Sequence, residues 1–415
     1  MQILTGLMIL ILSCIGHSEL WVIVVNRFYG MRIRHSRLRA LRHVHDVCVL
    51  LYPPCLFVGS LISEHGLLQG GTFDQQPAFV QIWISGTLVG LIPFTLGVIR
   101  WHLIQKESFL RKDSAQHYHL KAEAQRRPEL GEIEGPRKHF AKSLPFSETF
   151  QLEVNRKSIP LAFRPERIAK ADSLPTANEL RILHLSDLHF IGCPGEGYYR
   201  FVVEKALEQN ADLCIFAGDL IDEPAMIPDA VRLLKPLTET MPCFFVLGNH
   251  DWRYDPEEIR SAMVAGGWQV LGQDPKHMNI RGWQLHLEGS ELPWMGDRYT
   301  NPREDLHTPF PQSSNEQPRP VRILVSHTPD QHRFAVRKGF DLMLTGHTHG
   351  GQILLPLIGP VYSPSIYGVR YASGLFEIGD LFLHVSRGIG GKDPLRWRCP
   401  PELTCLHLVS NSPVN

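Results

Sequence analysis

The sequence predicts an α/β domain preceded by an N-terminal α-helical membrane region, and three observations predict it. Up to Arg100 the chain reads as three apolar stretches, each near the ~20 residues that cross a bilayer. After Leu180, short apolar runs alternate with helix-period patterns, which is the rhythm of strands and helices in turn. Five of those runs end in clusters of Asp, Asn, His and Gly. With 43% hydrophobic and 20% charged residues in 415, the composition is that of a globular chain and excludes disorder as its main state. Lys+Arg 42 balances Asp+Glu 42, so the global charge does not point to a nucleic-acid binder.

The apolar stretches are Ile3 to Val25, Val47 to Ile62 and Phe79 to Ile99. No Lys or Arg precedes Arg27, so the first lacks the positive region of a cleaved leader. The second contains Pro53 and Pro54, which suits a tilted or re-entrant segment as well as a span. Arg27, Arg32, Arg34, Arg37, Arg39 and Arg42 crowd the first loop, whereas Glu64 to Ala78 has no Lys or Arg. The positive-inside rule then puts the Arg-rich loop in the cytosol, and Arg100, Lys106, Arg111 and Lys112 with everything after them. The expected organisation is a membrane region over 1–105, a charged, His-rich juxtamembrane linker over 106–148 and a globular domain over 149–415. The eight cysteines include no C-x-x-C pair, and five lie beyond the apolar region, which fits reduced thiols.

Thr149 to Phe163 alternates enough to be a strand entering the domain. The apolar runs Ile182 to Leu185, Leu213 to Phe216, Phe244 to Leu247, Ile323 to Val325 and Leu342 to Leu344 read as strands buried on both faces. Tyr199, Val202, Val203, Ala206 and Leu207 keep one face of a helix, and Glu257 to Ala265 reads similarly. In such sheets ligands bind at the carboxyl ends of the strands.

Those ends carry the chemistry. They are Ser186-Asp187-Leu188-His189, then Gly218-Asp219-Leu220-Ile221-Asp222, Gly248-Asn249-His250-Asp251, Ser326-His327-Thr328 and Gly346-His347-Thr348-His349. Alternate residues of an extended strand end project to the same side, so Asp-x-His and His-x-His can converge on one cavity. A lone Asp-x-His or Gly-Asp is most often a surface turn; five in order at strand ends are not. Oxygen and imidazole donors without thiolate suit Mn²⁺, Fe or Zn²⁺, and seven or more donors are too many for one ion but fit two.

In this set of motifs the chain resembles the calcineurin-like metallophosphoesterases over roughly Leu180 to Leu408. The resemblance implies a pair of mixed sheets packed face to face with helices outside, a four-layer αββα sandwich. It implies that Asp187, His189 and His349 hold one divalent ion, that Asn249, His327 and His347 hold the other, and that Asp219 bridges them. His250 would then be the catalytic group that steadies the transition state or protonates the leaving oxygen. Two ions that activate water make a covalent nucleophile unnecessary, and the sequence offers no rival nucleophile motif. Mn²⁺ is the expected metal, with Fe or Zn²⁺ as alternatives. Asp222 and Asp251 are read as groups that orient neighbours, and His184 as a core histidine.

Gly350-Gly351-Gln352 with Pro356 and Pro364, and Ser386-Arg387-Gly388-Ile389-Gly390-Gly391 with Arg396 and Cys399 to Glu402, resemble the membrane-associated bacterial branch of the family. That branch includes a UDP-diacylglucosamine pyrophosphatase of lipid A synthesis. The resemblance implies a multi-pass protein of the bacterial inner membrane that splits an amphiphilic phosphodiester or pyrophosphate. The specific expectation is UDP-diacylglucosamine cleaved to a lipid monophosphate and UMP. The alternative is a phosphomonoesterase or cyclic-nucleotide phosphodiesterase merely anchored to the bilayer. Arg387 is the candidate substrate-phosphate ligand, with a structural salt bridge as the competing reading. The Pro/Ser/Asn-rich stretch 292–320 is either a recognition loop or a surface insertion.

Overall fold

The computed structural model describes residues 1–29, 31, 35–109, 112–138, 144–161, 179–272, 275–294, 320–393 and 395–409. The expected 292–320 loop therefore lies almost wholly outside the described residues. The chain divides into two compact units, one of residues 1–103 with 364–370, the other of 104–363 with 371–415.

In the first unit the apolar stretches form helices α1 (Gln2–Tyr29), α2 (His35–Ile62), α3 (Ala78–Leu88) and α4 (Leu91–Phe109). Three segments are long and apolar enough to cross a membrane: Gln2–Phe28, Ala40–Ile62 and Ala78–Leu103. Pro53 and Pro54 lie inside α2 without ending it. The Tyr52 hydroxyl and the Thr87 hydroxyl both meet Ser13 Oγ at 2.6 Å, so the polar atoms between these helices satisfy one another.

The second unit opens with β1 (Lys112–His119) and α5 (Leu120–Arg126). This corrects the reading of 106–148 as a linker. β1 pairs antiparallel with β2 (Gln151–Pro160) and forms the edge of a sheet. An edge strand needs no apolar alternation when one side of its ladder faces water, and Asp-Ser-Ala-Gln-His-Tyr-His offered none. The core strands follow as β3 (Glu179–Leu185), α6 (Glu196–Leu207), β4 (Leu213–Phe216), α7 (Ile227–Thr238), β5 (Cys243–Phe245), α8 (Pro256–Ala265) and β6 (Gln269–Val270). Then come β7 (Lys276–Ile280), β8 (Trp283–Ser290), β9 (Val321–Ser326), α9 (His332–Lys338) and β10 (Leu342–Thr345). A short hairpin, β11 (Leu354–Leu355) and β12 (Gly359–Pro360), precedes β13 (Gly374–Ile378), β14 (Leu381–Val385) and β15 (Glu402–Val409).

The strands make two mixed sheets, ordered β1-β2-β15-β3-β4-β5-β6 and β13-β14-β10-β9-β8-β7. Period-two alternation sorts their side chains. Ile182, Ile215 and Phe244 from the first sheet share one buried core with Leu285, Ile323 and Leu344 from the second. Leu183, Leu185, Cys214, Phe216 and Phe245 point the other way, onto Phe201, Val202, Leu233, Leu237 and Ile259 of α6, α7 and α8. The expected two-sheet sandwich is therefore present. All eight cysteines are free thiols.

A polar network lies inside this apolar frame. Lys157 Nζ on β2 donates to Glu402 Oε1 at 2.6 Å and lies 2.8 Å from His384 Nε2, whose ring meets His184 Nδ1 at 2.7 Å. Asn155 and Thr404 add donors to the same Glu402 oxygen, at 3.0 and 2.8 Å. His184 is thus a core histidine paired through Nδ1 alone, its Nε2 buried without a partner, and burial holds its pKa down to about 3.

Candidate metal centre

Each donor stands where a strand of the sandwich stops. Asp187 and His189 follow β3, Asp219 and Asp222 follow β4, Asn249 and His250 follow β5, His327 follows β9, and His347 and His349 follow β10. Because the ends of both sheets face one rim, residues 160 positions apart meet there: His189 Nε2 and His349 Nε2 are 3.2 Å apart. The strands cannot run on, since Asp187, His189, Asp219, His347 and His349 all have positive φ, between 49° and 72°. Such left-handed backbone is unfavourable for residues with a Cβ and clusters at functional sites. Gly248 and Gly346 leave the space required, because a Cβ on either would overlap the carboxylate of Asp219 or Asp187.

Among the described residues, donor atoms gather in three groups: Asp187, His189 and His349; Asp219, His327 and His347; and His189, Asp222 and His250. Asp187 Oδ1 is 3.4 Å from His349 Nε2 and 3.7 Å from His189 Nε2. Asp219 Oδ2 lies between the first two groups, 3.6 Å from His189 Nε2 and 3.1 Å from His327 Nε2. Asn249 Oδ1 is buried and without a hydrogen-bond partner, and His327 Nε2 makes no well-formed hydrogen bond although Asp219 Oδ2 lies 3.1 Å away. Leaving such atoms unsatisfied is costly, so they are fitted to a ligand that the protein itself does not provide.

The electrostatics say which kind of ligand. Burial alone would lower the pKa of His189, but Asp187 and Asp222 push it up to about 10. Burial is likewise outweighed at His327, where Asp219 holds the pKa at about 9. Burial pushes His347 down to about 3 and His349 well below its ordinary value, so these two imidazoles stay neutral and free to donate a lone pair. Three carboxylates, Asp187, Asp219 and Asp222, are held ionised against burial by the surrounding histidines. The cluster thus draws positive charge, and the carboxylate, amide and imidazole donors fit divalent cations.

Two aspartates shape the site without joining the first two groups. Asp222 Oδ2 accepts from His189 Nδ1 at 2.8 Å, and its Oδ1 makes a very short contact with His250 Nδ1. One carboxylate therefore fixes both rings. Asp251, fully buried, accepts from the backbone N–H groups of Asp219, Leu220, Ile221 and Gly248 at 2.9 to 3.2 Å, which ties the second motif loop to the third. Burial and the Asp219 charge raise its pKa to about 7.

Residues 180–351 match the family model described as Calcineurin-like phosphoesterase. Phosphodiesterase YaeI of Escherichia coli (strain K12) is 31% identical over 238 residues, covering 56% of this chain and 83% of that protein. The chain belongs to the calcineurin-like phosphoesterases. YkuE of Bacillus subtilis (strain 168), an uncharacterized metallophosphoesterase, is 30% identical over 258 residues, covering 60% of this chain and 85% of its own. A transmembrane protein with metallophosphoesterase domain from Bos taurus is 27% identical over 248 residues, 56% of this chain and 54% of that protein. As a calcineurin-like phosphoesterase the chain is a metal-dependent phosphoester hydrolase, and the family's dinuclear divalent site matches the two groups that flank Asp219.

Arg387 shows the salt bridge that was the competing reading. Its Nε donates to Glu402 Oε2 at 3.0 Å and its Nη2 lies 2.8 Å from Glu153 Oε1, so its guanidinium is paired with two buried carboxylates. Three other side chains around the phosphoesterase site escaped the sequence reading of catalytic roles. Arg253 Nη1 lies 3.0 Å from His250 Nδ1, and its Nε is buried without a partner. The Trp294 ring stands 5.4 and 5.2 Å from the rings of His327 and His347. Arg396 donates to the backbone oxygens of His349 and Gly390 at 3.0 and 2.6 Å, holding the last ligand loop. Only Arg253 carried a usable signal, an arginine two residues beyond Asp251 in the third motif.

Proposed function

We propose that this phosphoesterase is a membrane-anchored dinuclear hydrolase of a phosphodiester or pyrophosphate bond in an amphiphilic substrate, with its catalytic domain on the cytosolic side. The observation that carries it is the Asp219 carboxylate facing His189 on one side and His327 on the other, in a chain that also has three helices apolar and long enough to cross a bilayer. Asp187, His189 and His349 would hold one ion and Asn249, His327 and His347 the other, with Asp219 shared. Two divalent ions there, Mn²⁺ for preference, would supply Lewis-acid neutralisation of phosphoryl charge and lower the pKa of a water near them.

The chain's own groups do the rest. With Nδ1 engaged by Asp222, His250 has Nε2 left to deliver a proton to the leaving oxygen or to bind a phosphoryl oxygen. Burial lowers the His250 pKa, so at neutral pH the ring is a poor permanent cation and a competent proton carrier. Arg253 beside it offers a guanidinium fork to a phosphate oxygen, the task first expected of Arg387.

Bilayer anchoring and a cytosolic site favour a nucleotide-linked lipid, and UDP-diacylglucosamine, split to a lipid monophosphate and UMP, is the specific candidate. The test is product analysis with purified, Mn²⁺-loaded full chain presented with UDP-diacylglucosamine in vesicles, bis-p-nitrophenyl phosphate and p-nitrophenyl phosphate. UMP release supports the proposal. Turnover of bis-p-nitrophenyl phosphate without UMP release would leave a phosphodiesterase and remove the lipid nucleotide.

A further inference from the structure

The hairpin β11–β12 begins three residues after the His349–Gly351 turn, and its tip is unusual. Leu357 stands at the turn with φ 65° and is 89% exposed. A turn in water favours Gly, Asn or Asp at such a position, on conformational and hydration grounds alike. Leucine is unfavourable on both. Val361, just past β12, is 44% exposed. Trp397 is strapped to the base of the hairpin, its backbone exchanging hydrogen bonds with Gln352 and Leu354 at 2.9 and 3.0 Å. Against Trp397 packs Phe146, itself 55% exposed, with ring centroids 6.2 Å apart. Lys392 and Arg398, both exposed, flank this group along the chain.

Apolar side chains at a turn tip, a tryptophan at its base and cations around it are the composition of a surface that enters the boundary between headgroups and acyl chains. We infer that the hairpin tip, with Phe146 and Trp397, inserts into an anionic phospholipid surface beside the metal centre. One fact favours a bilayer over a protein partner: the flanking charges Lys392 and Arg398, against the single acid Asp393 between them, complement anionic headgroups. Arg396 links the surface to catalysis, since one end of its short segment holds His349 and the next residue is Trp397. The inference rests on the amphiphilic-substrate reading and deepens it: the substrate's headgroup would reach the metals from a membrane that the enzyme itself touches.

The test uses full chain reconstituted in phosphatidylethanolamine–phosphatidylglycerol vesicles, with Cys14, Cys48 and Cys55 replaced by serine. A nitroxide is attached at Leu357→Cys or, as a control on the exposed surface of α8, at Val264→Cys. The position-357 label should be more accessible to oxygen than to a water-soluble nickel chelate, and the position-264 label the reverse. Lys392→Glu with Arg398→Glu should make the position-357 label shallower. In kinetics, Leu357→Asp should raise KM for a vesicle-embedded phosphodiester about tenfold while leaving bis-p-nitrophenyl phosphate turnover unchanged. Equal access of the nickel chelate to both labels overturns the inference, as does an equal loss on both substrates. An immersed label at 357 with no UMP release would sustain this surface and fail only the choice of lipid nucleotide.

Discussion

His250 is braced at Nδ1 by Asp222 and donates its own backbone N–H to Asp219 Oδ1 at 2.7 Å, so its ring is fixed at the rim by groups other than a metal. Replacing it with alanine should lower kcat by roughly 10²–10⁴-fold, the range for a positioned acid–base group, with metal content near two per chain by elemental analysis. Metal loss in step with activity would make it a ligand instead. His189 gives a pH prediction for the metal-free protein. Folded, it binds its proton up to pH about 10, against an ordinary value of 6.5. Its stabilisation is therefore complete below about 6.5 and fades as pH rises toward 10. Metal-free protein should lose Tm between pH 7 and 10, while the metal-loaded form, with that charge supplied by cations, should change little. The ligand residues were legible because each motif carries its donors within a few positions. Arg387 and Trp294 were not, since the partners that decide their roles are brought to them only by folding; Glu402 and Glu153 are 15 and over 230 residues from Arg387.

Asp251 shows how one element fixes another. Asp251→Ala strands four backbone N–H groups of two ligand loops, and unsatisfied buried groups cost about 1–3 kcal/mol each before relaxation. A loss of at least about 3 kcal/mol in denaturant unfolding is expected, and Asp251→Asn should recover only part of it, because an amide cannot replace both carboxylate oxygens. Between strands, Glu402 on β15 neutralises Lys157 and Arg387 at once. Glu402→Leu should cost about 3–5 kcal/mol, the range for breaking one side of a buried ion network. Replacing Lys157 by Met as well should recover some of it. The core strands were legible as uninterrupted apolar runs, and the α6 and α8 helices by their periodicity. β1 was not, for a polar edge strand differs from a solvated spacer only through its ladder to β2, which lies some 40 residues on.

At the scale of the molecule, the five motif-bearing runs read as one rhythm but belong to two sheets: β3, β4 and β5 to the first, β9 and β10 to the second. Nothing along the chain marks the change, because strands buried on both faces carry the same apolar pattern in either sheet; the family resemblance supplied the sandwich. The three apolar segments were legible by length and hydropathy, and the charge bias around them predicts orientation. A reporter fused after Val409 should behave as cytosolic, and an extracytoplasmic signal would reject the proposed topology. Chelation should stop hydrolysis without releasing the chain from membranes, because the apolar helices and the donor cluster belong to different compact units.

The left-handed backbone at Asp187, His189, Asp219, His347 and His349 bears on attempts to engineer the protein. Glycine at any of the five would relax the local conformation, and wherever that gain exceeds the ion pairs and hydrogen bonds lost with the side chain, selection for thermal resistance alone pulls the position toward glycine and away from ligation. A library screened only by survival on heating should therefore accumulate dead variants at the rim, and screening for turnover alongside is what would retain it.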